Sequence, residues 1–340
     1  MIGRPLCSAL GVFFGLCLSN GEAASQSQPV AVRVGSFINS GSPSDVLFKD
    51  YAAALTESGG GVLEPNLMIY GEAGSEEQAL AAVRRGRIEL ASSSFLAVSS
   101  LIPEIEVTMA PFLFDSIEEY DFVLDRYLLD EFQALVAEKD LTVLRWIEMG
   151  AQNLYGKKPI LAPEDVKGYR MRASSDTATR VIWEVLEADI IFLESSNLIP
   201  SLQTGLLDGG AAVPLVYGGT GITEYARHYT LSNHFYLGGW LVANRRWLDG
   251  LPDNLRRIVA DSFASNAEIR STFRALSKDV VEDSARASTT VHRLTDAQRS
   301  AWREATAPAH KRLIEEMGGR SQQIYDVIQE GKRAYRAQLH

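Results

Sequence analysis

Arg170 and Arg172 stand two residues apart in the stretch PEDVKGYRMRAS, residues 163–174. On a strand, alternate residues share one face, so both side chains can meet a common surface. A guanidinium is a rigid fork that matches a carboxylate with two parallel hydrogen bonds. Each hydrogen bond to a charged group contributes about 1.5–3 kcal/mol. The chemistry on offer is therefore carboxylate capture. The competing reading is a surface pair bonded to nearby acids such as Glu164 and Asp165, and spacing alone favours it.

Other chemistry has little support. The histidines are His228, His234, His292, His310 and His340, and no HExxH or paired CxxC accompanies them, so no metal site is expected. No GxGxxG follows the first predicted strand, no GxxxxGK[ST] occurs, and no GxSxG elbow is present. No cofactor is expected. The carboxylates read as solvated helix faces, and no pair of them stands out. Catalysis lacks a reactive group, and an enzyme is not expected.

The chain has 340 residues, 46% hydrophobic and 22% charged, which is ordinary globular composition. Its formal charge is -10, with no basic run, so nucleic acid is not an expected partner. That field opposes an anionic ligand, and local cations must do the capturing. Residues 1–24 read as a secretory signal peptide: Arg4, an apolar run from Leu6 to Leu18, then small residues with cleavage near Ala23 or Ala24. Cys7 and Cys17 both fall inside it, so the mature chain is expected to lack cysteine. No later stretch reaches the roughly 18–20 apolar residues of a membrane helix. The mature protein is expected to be exported and not membrane-spanning.

These residues need a scaffold. PVAVRVGSFI reads as a strand, and Ser42 or Ser44 can cap the helix that follows. VLEPNLMIY is a second strand, SEEQALAAVRRG a helix with acids in its first turn, and IELASS a third strand. This β-α-β-α-β order predicts a parallel sheet covered by helices. A loop, two helices and a strand ending at Gly150 follow, and a second α/β set begins there. Long amphipathic helices are predicted from Asn254 to Ala287 and from Asp296 to Leu339. No Pro/Ser-rich linker separates the two sets, which predicts several chain crossings and a hinge.

The segment ILAPEDVKGYRMR also resembles a block of the TRAP-transporter solute-binding proteins of the dicarboxylate-binding (DctP-like) type. GSEEQALAAVRRGRIEL, PEIEVTMAPFLF, SLQTGLLDG and YLGGWLVANRRWLDGLP resemble further blocks of that family, in order, over roughly residues 30–335. The resemblance implies a two-lobe periplasmic binding protein fold, type II-like, each lobe an α/β sheet flanked by helices, with long C-terminal helices. It implies lobe I over 25–149 plus about 238–277, lobe II over 150–237 plus about 278–305, and a C-terminal helix at 306–340 packing across both. It further implies a monomeric periplasmic protein that closes over an organic acid and delivers it to membrane permease subunits. An exported protein of another transport or sensory system is the alternative.

The family's ligand arginine falls on Arg172, and Arg170 falls where the family usually has a lysine facing away. Two positions depart from the pattern. A second arginine common in the family is Gln152 here, and an asparagine before Pro214 is replaced in the run Ala212-Val213. Both changes remove polar grip, which points to a monocarboxylate, a keto acid or a bulkier, more apolar acid. Gln152 still offers one neutral hydrogen bond. Tyr217, Trp240 and Phe192 are candidate lining aromatics, with Phe235 and Tyr236 behind them. Glu76 is a candidate acceptor for a ligand hydroxyl or amine. Asn39 and Ser94 follow predicted strands, where open α/β sheets place ligands, and Asn233 with His234 lines the cleft or packs at the hinge.

Overall fold

The β-branched run Val30–Gly35 forms β1, with Val32 and Val34 fully buried. The structure, a computed structural model, describes residues 29–286 and 289–339, so the expected signal peptide lies outside the described residues. Eight further strands follow: β2 (Leu63–Met68), β3 (Leu90–Ser94), β4 (Leu141–Gly156), β5 (Arg170–Ala173), β6 (Asp189–Phe192), β7 (Gly209–Ala212), β8 (His228–Asn244) and β9 (Thr290–Arg293). They join in one sheet in the order β2-β1-β3-β8-β4-β7-β5-β6, with β9 beside β8.

The predicted parallel pairing holds within two groups. β2, β1 and β3 are mutually parallel, and so are β7, β5 and β6. Between them run β4 and β8, antiparallel to each other and to β7 and β3 respectively, while β9 pairs with β8 in parallel. Here the structure departs from expectation. A strand ending at Gly150 was expected, but β4 runs on to Gly156. Gly150 takes φ +110°, a conformation that favours glycine, and the register slips beside it. The glycine marks a bulge inside a long strand, and bulges bend and twist the strand that carries them.

Helix starts follow the expected chemistry. Ser42 caps the helix Pro43–Ser58, and Ser75 forms a capping box with Gln78 at the start of Glu76–Arg84. The two long C-terminal helices resolve into four: Asp253–Asp261, Asn266–Arg286, Asp296–Met317 and Ser321–Ala337. Ser265 exchanges hydrogen bonds with Glu268 and starts the second. Gly318 and Gly319, at φ +61° and +52°, separate the last two. The helix Asp296–Met317 packs on both the helix Thr177–Val185 and the 3-10 turn Pro103–Met109, so it ties the two strand groups together.

That turn carries a buried acid. Glu106 is 3% exposed and accepts a hydrogen bond from the backbone of Ala178, near the start of the helix Thr177–Val185. Burial, with Asp176 adding to it, pushes the Glu106 carboxyl up to about 7 against hydrogen bonds from Ser99, Thr177 and Ala178. A folded-state value above the unfolded one means the native protein binds the extra proton. Stability is therefore lost as pH rises from about 4.5 towards 7. Glu106→Gln keeps an acceptor oxygen and removes the charge. The variant is expected to gain about 2 kcal/mol on wild type between pH 5 and pH 8 in denaturant titrations. A constant difference across that range would show that Glu106 does not titrate there.

Candidate functional site

The strand registers locate a gap. β3 ends at Ser94 opposite Gly239 of β8, which in turn faces Ile147 of β4. β7 ends at Ala212 opposite Asn153 of β4. The first group runs towards the middle of β4 from one end, and the second group runs towards it from the other. Residues 148–152 of β4 pair with neither group. At about 3.3 Å per residue, this leaves some 15–20 Å of crossing strand with the C-terminal tips of both groups aimed at it. Open α/β sheets place ligands at such tips.

Arg170 and Arg172 both lie on β5 but do different things. Arg170 makes a two-pronged pair with Asp208, Nε to Oδ2 and Nη2 to Oδ1, each 2.6 Å. The partner is not Glu164 or Asp165; Asp165 instead accepts from the backbone of Leu161 and Ala162. Arg172 has no carboxylate partner among the described residues. Its Nη2 donates to the Ser195 hydroxyl at 3.3 Å, and its shielded Nε has no partner. Its backbone carbonyl accepts from the Trp183 indole at 2.9 Å, which pins the strand beneath it. Gly210 of β7 makes room: a Cβ there would meet the Tyr155 hydroxyl at 2.5 Å and the Arg172 Cβ at 3.2 Å. The buried Tyr155 hydroxyl also lacks a partner.

The crossing strands contribute Gln152, which is buried with its Oε1 unpartnered. Gln152 faces Phe235, yet Leu154 faces Thr230, so β8 bulges outward through residues 231–234. Asn233 sits in that bulge at φ +45°, and its backbone N–H donates to the Asn153 side chain at 3.0 Å. His234 is buried in the same bulge, bonded to Ser232 and close to Trp183.

On the first group's tips, Ser94 donates to Glu76 at 2.6 Å. Burial pushes the Glu76 carboxyl up to about 7, opposed by the two hydrogen bonds from Ser94, with Glu77 adding to the rise. Asn39 is exposed in the turn after β1, where its carbonyl accepts from Ser42. Phe192, the last residue of β6, is 58% exposed at the second group's tips.

The structure moves two expected lining residues into the core. Trp240 is fully buried, edge-on to Phe95 and Trp146, and donates to Ser93 at 3.2 Å. Its β8 neighbours on both sides are strands, so the indole fills the layer between sheet and helices. Tyr217 is fully buried, stacked on Tyr229, and spends its hydroxyl on the Ala226 carbonyl at 2.9 Å. Ser195, Tyr155 and the exposed rings of Phe37 and Tyr70 went unread in the sequence. Only strand register brings them to the tips, and no short motif announces them.

Comparison with known proteins settles the family. A family model described as bacterial extracellular solute-binding protein, family 7 (DctP), matches residues 34–317. The chain belongs to this family. The C4-dicarboxylate-binding periplasmic protein DctP of Rhodobacter capsulatus is 26% identical over 264 residues, covering 75% of this chain and 76% of its own. Two solved structures share the fold. The sugar acid binding protein of Advenella mimigardefordensis in complex with galactonate has a TM-score of 0.82 at 24% identity, covering 89% of this chain and 99% of its own. The ectoine-binding protein of the Halomonas elongata TRAP transporter has a TM-score of 0.83 at 21% identity, covering 90% and 100%. The family 7 protein thus has the expected two-lobe α/β fold with long C-terminal helices. Among its described residues, no helix is long and apolar enough to cross a membrane.

Proposed function

We propose that this solute-binding protein works in the periplasm, as a monomer, after removal of a signal peptide at residues 1–24. It captures an organic acid between its lobes and presents the acid to the membrane permease subunits of a TRAP transporter. The lobes divide near Gly150 on β4 and near Leu237 on β8, where the crossing strands are bulged and flanked by neither group. The single observation that carries the reading is the contrast on β5: Arg170 is neutralised by Asp208, while Arg172, next to the C-terminal end of the strand, has no carboxylate partner among the described residues. A bound acid supplies the missing partner. Closure removes water from that pair and strengthens its Coulomb attraction. Contacts to both lobes then shift the open–closed balance towards closed.

The relatives named above are described as binding a C4-dicarboxylate, galactonate and ectoine, and this supports a small carboxylate as the ligand here. A thermal-shift screen over organic acids, with calorimetry on the hits, tests the proposal. A ligand at 100 times its Kd is expected to add about 2.7 kcal/mol of stability. Stabilisation by neutral or cationic solutes alone would contradict it. Gln152 sets the charge the site accepts: Gln152→Arg adds a second cation beside the gap and is expected to raise dicarboxylate over monocarboxylate affinity about tenfold in calorimetry. An unchanged ratio would place Gln152 outside the site.

A further inference from the structure

The strand tips carry one cation. Residues 35–41 after β1, 68–72 after β2, 94–95 after β3, 172–174 on β5, 192–195 after β6, 212–214 after β7 and 148–152 on β4 contain Arg172 and no other lysine or arginine. The same segments carry Glu72, Glu148 and Glu194. Glu148 is already paired with Arg274. A second carboxylate on the ligand would meet acids with no free cation to offset them, and like charges brought together in a desolvated cleft repel strongly.

What the tips do offer is apolar. Phe37 is 50% exposed, Tyr70 42% and Phe192 58%, so all three exposed large aromatic rings of the described residues lie at or just past strand ends. Single exposed apolar residues are common, but these are gathered at the tips rather than scattered. Two are held in place. Phe37 and Tyr70 form a bridge beyond β1 and β2. The Phe37 ring lies over Gly71, where a Cβ would approach it to 3.2 Å, and Tyr70 is tethered through its hydroxyl to Asp45 at 2.7 Å. Phe192 ends β6 paired with Ala173 of β5, one residue past the Ile191–Arg172 row, so its ring leaves the other face of the sheet from Arg172 at that tip.

We propose that the ligand is an aromatic monocarboxylate, its carboxylate on Arg172 and its ring enclosed between Phe37 of one lobe and Phe192 of the other. This rests on the carboxylate reading above and narrows it to a substrate class. A flat ring gains both apolar burial and favourable aromatic pairing there. A dicarboxylate or polyhydroxy acid gains neither.

Calorimetry with 3-phenylpropionate, succinate and gluconate tests this on the mature protein and on Phe37→Ala, Phe192→Ala and Arg172→Met. Phenylpropionate is expected to bind at least tenfold tighter than either other acid. Each phenylalanine variant is expected to lose about tenfold for phenylpropionate alone, and Arg172→Met to lose all acids. Because both rings are exposed, the variants keep the wild-type melting temperature. Succinate or gluconate binding tightest, no binding of phenylpropionate, or phenylalanine variants with unchanged affinity would overturn the aromatic assignment. If Arg172→Met still weakens the preferred acid in those cases, the carboxylate reading stands. If it leaves every acid untouched, that reading falls as well.

Discussion

Arg172→Met is expected to weaken acid binding at least tenfold, about 1.4 kcal/mol, with little change in melting temperature. The hydrogen bonds of the two arginines go to different partners. Arg172 contributes one long bond to Ser195 and no ion pair among the described residues, so folding has little invested in its charge. A bound carboxylate gains two charge-assisted bonds from the fork, and removing the fork strands the carboxylate in a closing cleft. Arg170→Met should do the reverse. It breaks the pair with Asp208, but the Arg170 side chain is 43% exposed, so the stability cost is small and affinity holds. Calorimetry and melting curves on the two variants separate these roles. Equal affinity losses would mean that both arginines grip the ligand.

The largest stability effect belongs to Trp240. Trp240→Ala is expected to cost about 3–5 kcal/mol in urea unfolding, as large-to-small changes do in a packed core. The indole is enclosed by Phe95 and Trp146, and its N–H is satisfied by Ser93, so truncation leaves both a void and an unpaired hydroxyl. Trp240→Phe fills most of the void and should recover more than half of that cost. A Trp240→Ala protein of near wild-type stability that binds acid poorly would return the indole to the ligand site.

Much of this was legible in the sequence, for physical reasons. β1 and β3 show in local residue pattern, and Ser42 and Ser75 show in cap chemistry, because both signals are carried by neighbours in the chain. Arg170 and Arg172 could be ranked only through the family resemblance, since spacing cannot say that Asp208, 38 residues on, takes one of them. Gly150 misled for a related reason. A glycine within an apolar run reads as a stop, and only the partner strand β8 reveals it as a bulge in a 16-residue strand. Tyr217 and Trp240 were misplaced because an aromatic residue looks alike in sequence whether it lines a cleft or fills a core. Phe37 and Tyr70 lie 33 residues apart, and the bridge that joins them is a product of sheet register.

The most direct measurement is a crystal structure of the protein with a carboxylate ligand identified by calorimetry. We expect both carboxylate oxygens to lie about 2.7–2.9 Å from the guanidinium nitrogens of Arg172, with Arg170 still on Asp208. A ligand whose carboxylate is held by other groups, with Arg172 turned away into solvent, would contradict the account.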